Sequence, residues 1–181
     1  MNTIAVVRIV ALLALPALAG CAGVAMEGAN VTKDQVVYDR NLPAARAGDP
    51  TAQYRVGEAQ CCSLGDRQGL YDTRAAVEWL CRSSAQGYAP ASQKLAQIYS
   101  GDVVDGVRVL RRLAEGVSGR PEDRGLSYAW LRVAETQGAE DAKSDATELW
   151  AGLDDAERTR ARQLLAKGQP LPCRWEEVFT R

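Results

Sequence analysis

Five cysteines, four pairs of adjacent carboxylates and a complete lack of histidine bound the chemistry open to this 181-residue chain. Thiols at Cys61, Cys62, Cys81 and Cys173 could ligate a metal, exchange disulfides or simply bridge. Structural zinc sites built on four thiolates use paired Cys-x-x-Cys knuckles, and no such spacing occurs here. A thiol-exchange centre places Cys-x-x-Cys ahead of a helix in an α/β pattern, which is also missing. Without histidine, Ser-His-Asp and Cys-His nucleophilic catalysis are excluded, together with the usual side chain that titrates near neutrality. Glu122/Asp123 and Glu176/Glu177 offer acid/base couples on paper. Glycosidase carboxylates, however, face each other across a sugar at about 5–9.5 Å, which sequence neighbours do not do. These carboxylates read as solvated charge, so the sequence implies no catalytic residue, no metal and no cofactor.

What positions the thiols begins with the first twenty residues. Arg8 precedes an apolar run, Ile9 to Leu18, and small residues follow. This is the n-region and h-region of an export signal, shorter than the roughly 20 apolar residues a spanning helix requires. Leu18-Ala19-Gly20-Cys21 resembles the bacterial lipobox. The resemblance implies cleavage after residue 20 and acylation of Cys21, with acyl chains such as palmitate holding the protein to a membrane. Ala22 follows; in enteric lipoproteins an aspartate there favours inner-membrane retention, so the resemblance implies the outer membrane over the inner. Export places the remaining four cysteines in an oxidising compartment, where disulfides are expected. Four cysteines allow three pairings. Because adjacent cysteines bridge each other poorly, Cys61 and Cys62 are expected to divide between Cys81 and Cys173. That arrangement would pin the C-terminal tail onto the rest.

Removing the leader leaves about 160 residues, enough for one domain with a core. Net charge is -1 for the full chain, and the mixed surface carries no footprint for nucleic acid. Alanine is abundant, aromatics make up 6%, and Phe179 is the single phenylalanine, which favours helices packed through small residues. Residues 21–40 show no period and read as a flexible tether.

From residue 41 the pattern repeats. Ala47-Gly48-Asp49-Pro50-Thr51-Ala52-Gln53 is echoed by Gln86-Gly87-Tyr88-Ala89-Pro90-Ala91-Ser92 and by Gln137-Gly138-Ala139-Glu140-Asp141-Ala142. Trp79-Leu80 precedes Gln86-Gly87 as Trp130-Leu131 precedes Gln137-Gly138. Ala52, Val56 and Ala59 share helical spacing with Ala91, Leu95 and Ile98; Ala142, Ala146, Leu149 and Trp150 continue the series. Each stripe is too narrow to form a core alone, so stacked helices must bury it. Glycines 48, 87 and 138 fall where helices should end. The recurrent Trp79 and Trp130 read as core, not as a ligand-stacking pair.

The residues Gly48…Ala52-Gln53-Tyr54 and Ala76…Trp79…Gln86-Gly87 resemble the Sel-one-like repeat, a relative of the tetratricopeptide repeat. Ser83 stands in for the second alanine, and Tyr99-Ser100-Gly101 loosely resembles the close of a first helix. The resemblance implies an all-α solenoid of helix–turn–helix units over residues 41–168. An insertion at 102–124 lengthens the second unit; within it Val107, Leu110 and Ala114 share one face, flanked by Arg108, Arg111 and Arg112. A capping helix is expected over 154–167, opened by Asp154 with Glu157 as a capping box and stopped by Gly168. Residues 169–181 form a tail. The resemblance also implies a non-enzymatic adaptor, here a membrane-anchored scaffold binding an envelope protein or peptide. The alternatives are an envelope-structural or peptidoglycan-associated protein, or an accessory partner of a murein enzyme.

Overall fold

A computed structural model describes residues 32–62, 70–101 and 122–179. The leader, Cys21, residues 22–31 of the tether, and residues 102–121 of the insertion lie outside the described residues. Among those described there are eight helices and no strand: α1 (32–46), α2 (Pro50–Gln60), α3 (Thr73–Ala85), α4 (Ala89–Tyr99), α5 (Arg124–Thr136), α6 (Ala142–Ala151), α7 (Asp155–Lys167) and α8 (Trp175–Phe179). No described helix is long and apolar enough to cross a membrane.

Aspartates set the helix starts. Asp49, Asp72 and Asp123 accept hydrogen bonds from the amides of Ala52, Ala75 and Leu126, at 2.6, 3.1 and 2.8 Å, satisfying donors that a helix N-terminus leaves open. Asp154 caps α7 in the same way, and the Glu157 side chain returns a bond to the Asp154 amide.

Three turns with one hydrogen-bond pattern join α1 to α2, α3 to α4 and α5 to α6. Gly48, Gly87 and Gly138 donate to the carbonyl three residues back (Ala45, Ser84, Glu135), and the following residue donates to the carbonyl five back (Ala44, Ser83, Ala134). This winding needs a left-handed residue, and the three glycines have φ of 102, 84 and 94°.

The helices stack in chain order. α2 packs on α3, α3 on α4, and α4 on α5, while α5 contacts both α6 and α7. The result is an α-solenoid closed at its C-terminal end by the mostly polar α7, which buries only Ala161 and Leu164. The main core runs unbroken from Val77 and Leu80 through Leu95 and Tyr99 to Leu126, Trp130 and Leu164. Close approach is built into the sequence: a Cβ on Gly57 would stand 2.9 Å from Leu80 Cγ and 3.0 Å from the Ala76 carbonyl.

Two expectations are corrected. The tether expected over 21–40 is helical from residue 32, as part of α1. Tyr38 and Leu42, one turn apart, pack with Ala45, Ala52, Val56 and Trp79 in a second, smaller core, which is what holds this helix. Trp79 is therefore only half-buried and carries Arg82 4.8 Å over its ring, whereas its counterpart Trp130 is buried.

Candidate functional site

The first helices of successive units, α2, α4 and α6, line one face. Two adjoining clefts of about 570 and 450 Å³ run along it and share Gln97 and Asp145 as common wall. Tyr54 and Glu58 of α2 form one end, Gln93, Lys94 and Gln97 of α4 the floor, and Asp141, Ser144 and Asp145 the opposite side. The second cleft continues past Ser100 and Arg124 to Glu148 and Leu149. At one end Tyr54 stacks against Tyr88, ring centroids 5.4 Å apart. The Tyr54 hydroxyl donates to Glu58 at 3.0 Å. Burial and the neighbouring Glu58 charge push its ionisation above the ordinary tyrosine value.

Charge along this groove is predominantly negative. Glu58, Asp141, Asp145 and Glu148 face Lys94 and Arg124, and Arg124 is already engaged by Glu157 at 3.4 Å and the Gly152 carbonyl at 3.1 Å. Among the described residues the groove is thus an acidic, polar channel.

A ladder of glutamines and serines fixes the register of the walls. The Gln86 amide donates to Gln53 Oε1 at 2.8 Å, and the Gln53 amide donates to the Ala45 carbonyl at 3.2 Å. One unit on, the residue equivalent to Gln53 is Ser92. Its side chain is too short for the second bond, so Gln137 donates to the Ser84 carbonyl at 3.0 Å while the Ser92 hydroxyl donates to Gln137 Oε1 at 2.6 Å. Ser83, in the place of a repeat alanine, is buried and donates to the Pro50 carbonyl at 2.7 Å. Sequence reasoning saw Gln53, Gln86 and Gln137 recur but missed this role.

The pairs Glu122/Asp123 and Glu176/Glu177 lie away from the groove, and Asp123, Glu176 and Glu177 serve the fold. Asp123 caps α5 and pairs with Arg160 at 3.2 Å across to α7. Glu176 pairs with Arg74 at 3.3 Å, and Glu177 accepts from the amides of Cys173 and Arg174 at 3.0 and 3.1 Å. Those two bonds, that of Cys173 foremost, hold the Glu177 carboxyl below its ordinary value. The expectation of merely solvated charge is thus corrected for Asp123 and Glu177.

The cysteines gather beside the main core, but in a different pairing from the one expected. Cys81 of α3 is joined to Cys173 of the tail, Cα atoms 5.9 Å apart, while Cys61 and Cys62 lie side by side against the main core. The expected split of Cys61 and Cys62 between Cys81 and Cys173 is therefore corrected. The tail folds back over α3 and the end of α4, bringing Cys173 opposite Cys81. Three further contacts seat the tail: Leu171 is buried, the Tyr99 hydroxyl donates to the Cys173 carbonyl, and Phe179 lies between Tyr99 and Trp175, 5.9 and 4.5 Å away.

No family model matches the chain, and no solved structure matches it. Among curated proteins it is similar to the alginate biosynthesis protein AlgK of Azotobacter vinelandii, with 30% identity over 139 residues. The match takes in 77% of this chain and 26% of AlgK, so the chain spans about a quarter of that relative's length.

Proposed function

We propose that this chain is a Sel-one-like repeat lipoprotein, anchored through acylated Cys21 to the periplasmic face of the outer membrane. There it acts as a non-enzymatic scaffold that holds an envelope protein of an exopolysaccharide-producing assembly. The observation that carries the binding role is the groove along α2, α4 and α6. Its wall side chains Gln93, Lys94, Gln97, Asp145 and Glu148 project from rigid helices, and no hydrogen bond or ion pair ties them to the rest of the described chain. Their backbones are already ordered, and their donors and acceptors are free for a partner, at an ordering cost of about 0.5–1.5 kcal/mol for each long side chain immobilised. The likeness to an alginate biosynthesis protein over 77% of the chain supports the choice of process, and the lipobox-like Leu18-Ala19-Gly20-Cys21 supports the anchor.

The test places a photo-cross-linking side chain at Gln97, the residue common to both clefts, in the native lipoprotein. A discrete envelope protein, trapped from Gln97 and lost when Asp145 and Glu148 are changed to Lys, is the expected result. Murein fragments alone, or no specific product, would overturn the scaffold reading in favour of an envelope-structural role. Membrane fractionation of Cys21→Ser tests the anchor separately, with release into the soluble periplasm expected.

A further inference from the structure

The face of α6 opposite the groove has the reverse charge. Asp141, Asp145 and Glu148 line the clefts; half a helical turn away, Lys143, Thr147 and Trp150 share the other face by their spacing. Trp150 is a point of convergence. Tyr128 of α5 meets it at 4.7 Å between ring centroids, and two guanidinium groups of α7, Arg158 and Arg162, lie 5.8 and 5.5 Å from its ring. Arg132, one turn beyond Tyr128, donates to the Tyr128 hydroxyl at 3.5 Å.

Two like charges on one ring repel, and the compensation supplied within the chain is thin. Arg158 reaches Asp155 only at 3.7 Å, through a carboxylate that is fully exposed, and a water-screened pair of this kind contributes little. The Arg158 Nη2 group donates to the Trp150 carbonyl at 3.4 Å, while its Nε is buried without a hydrogen-bond partner. Arg162 forms no ion pair among the described residues. Arg132 alone has a close carboxylate, Glu135 at 3.0 Å. The buried Arg158 Nε lies out of reach, but the terminal nitrogens of Arg158 and the exposed Arg162, both placed against one aromatic ring, are donors whose fork geometry suits a planar carboxylate.

We propose that Arg158 and Arg162, oriented by Trp150 and extended by Arg132 along Tyr128, bind the carboxylates of an acidic polysaccharide chain, a polyuronate. Guanidinium groups supply the charge recognition, and the tyrosine and tryptophan edges supply apolar surface for sugar C–H groups. That the anion is a polyuronate rests on the proposed place in exopolysaccharide production. The anion site itself rests on the geometry alone. The scaffold would then carry two faces, an acidic groove for a protein and a basic edge for the polymer.

The experiment titrates the mature chain with a short oligouronate, following arginine Nε–H resonances and calorimetric affinity. A neutral oligoglucan, inorganic phosphate and anionic phospholipid vesicles serve as comparison probes. Expected are shifts at Arg158 and Arg162 with the oligouronate only, and about tenfold weaker binding in Arg162→Gln. That residue is exposed, so the variant should fold as the parent does, and Arg162→Lys should restore part of the affinity. Absence of shifts overturns the site. Equal response to phosphate or vesicles retains an anion site and overturns the polysaccharide. Cross-linking from Gln97 reports on the groove independently, so failure of the scaffold and failure of this edge are separable.

Discussion

The bond between Cys81 and Cys173 closes the largest loop in the described chain, with a sequence separation of 92. Replacing both residues with serine restores that loop's freedom to the unfolded ensemble. The loop-closure relation gives about 4.6 kcal/mol at 25 °C for such a separation. This is an upper figure, because residual structure in the unfolded chain lowers it, and measured losses for native disulfides run at about 2–5 kcal/mol. The tail should remain docked in the folded variant, since Leu171, the Tyr99–Cys173 hydrogen bond and the Arg74–Glu176 pair persist. A bond between Cys61 and Cys62, at a separation of 1, would close almost no loop. Serine at those two positions should therefore move stability by no more than about 0.5 kcal/mol. Guanidinium unfolding of the oxidised parent and both double variants compares these terms directly. Tryptic mapping of the unreduced protein should yield a Cys81–Cys173 cross-linked peptide. Equal losses in the two variants, or a map linking Cys61 or Cys62 to Cys81 or Cys173, would refute the pairing and the argument from loop length.

Four further outcomes follow from named contacts. Gly125→Ala would set a Cβ 2.7 Å from the Glu157 carbonyl and 2.8 Å from Arg160 Cγ; overpacking between α5 and α7 should cost about 1–3 kcal/mol in chemical denaturation. Gln137→Ala leaves the Ser84 carbonyl and Ser92 hydroxyl each short of a partner, and a loss of about 1–2 kcal/mol is expected by the same measurement. Asp154→Ala removes the acceptor for the Glu157 amide while the residue-154 amide can still donate to the Glu157 carboxylate, and should cost about 1 kcal/mol, read as increased amide exchange in the first turn of α7. Glu177 ionises below its ordinary value when folded, so its contribution is present above the unfolded carboxylate value and disappears as pH falls through the folded one. A carboxyl titration by NMR should find that depressed value in the parent, and Trp175 fluorescence should report loosening of the tail only on the acid side.

The parts of this fold that are legible in sequence are those whose cause is local. Gly48, Gly87 and Gly138 announce turns because each completes the same three- and five-residue hydrogen bonds within its own segment. Ala52-Val56-Ala59 and Ala91-Leu95-Ile98 announce helices because one face of a helix recurs at fixed spacing. What escapes has its cause at long range. Tyr38, Leu42 and Ala45 also stand at helical spacing, but Pro43 interrupts them, and the partner that makes them a packed face, Trp79, belongs to α3. Disulfide pairing fails for the same reason: only the return path of the tail places Cys173 beside Cys81. The groove is a still longer-range property. Glu58, Lys94 and Asp145 come from three different units, and no window of sequence contains their common wall. Stacking turns one helix into two functional surfaces. On α6 the residues Asp145 and Trp150 are five apart, yet one looks into an acidic channel and the other onto an arginine-lined edge. A repeat that buries only its Ala142 and Ala146 side leaves both flanks of each helix open to a partner, and the sign of each flank is then set by single residues that the repeat pattern does not constrain.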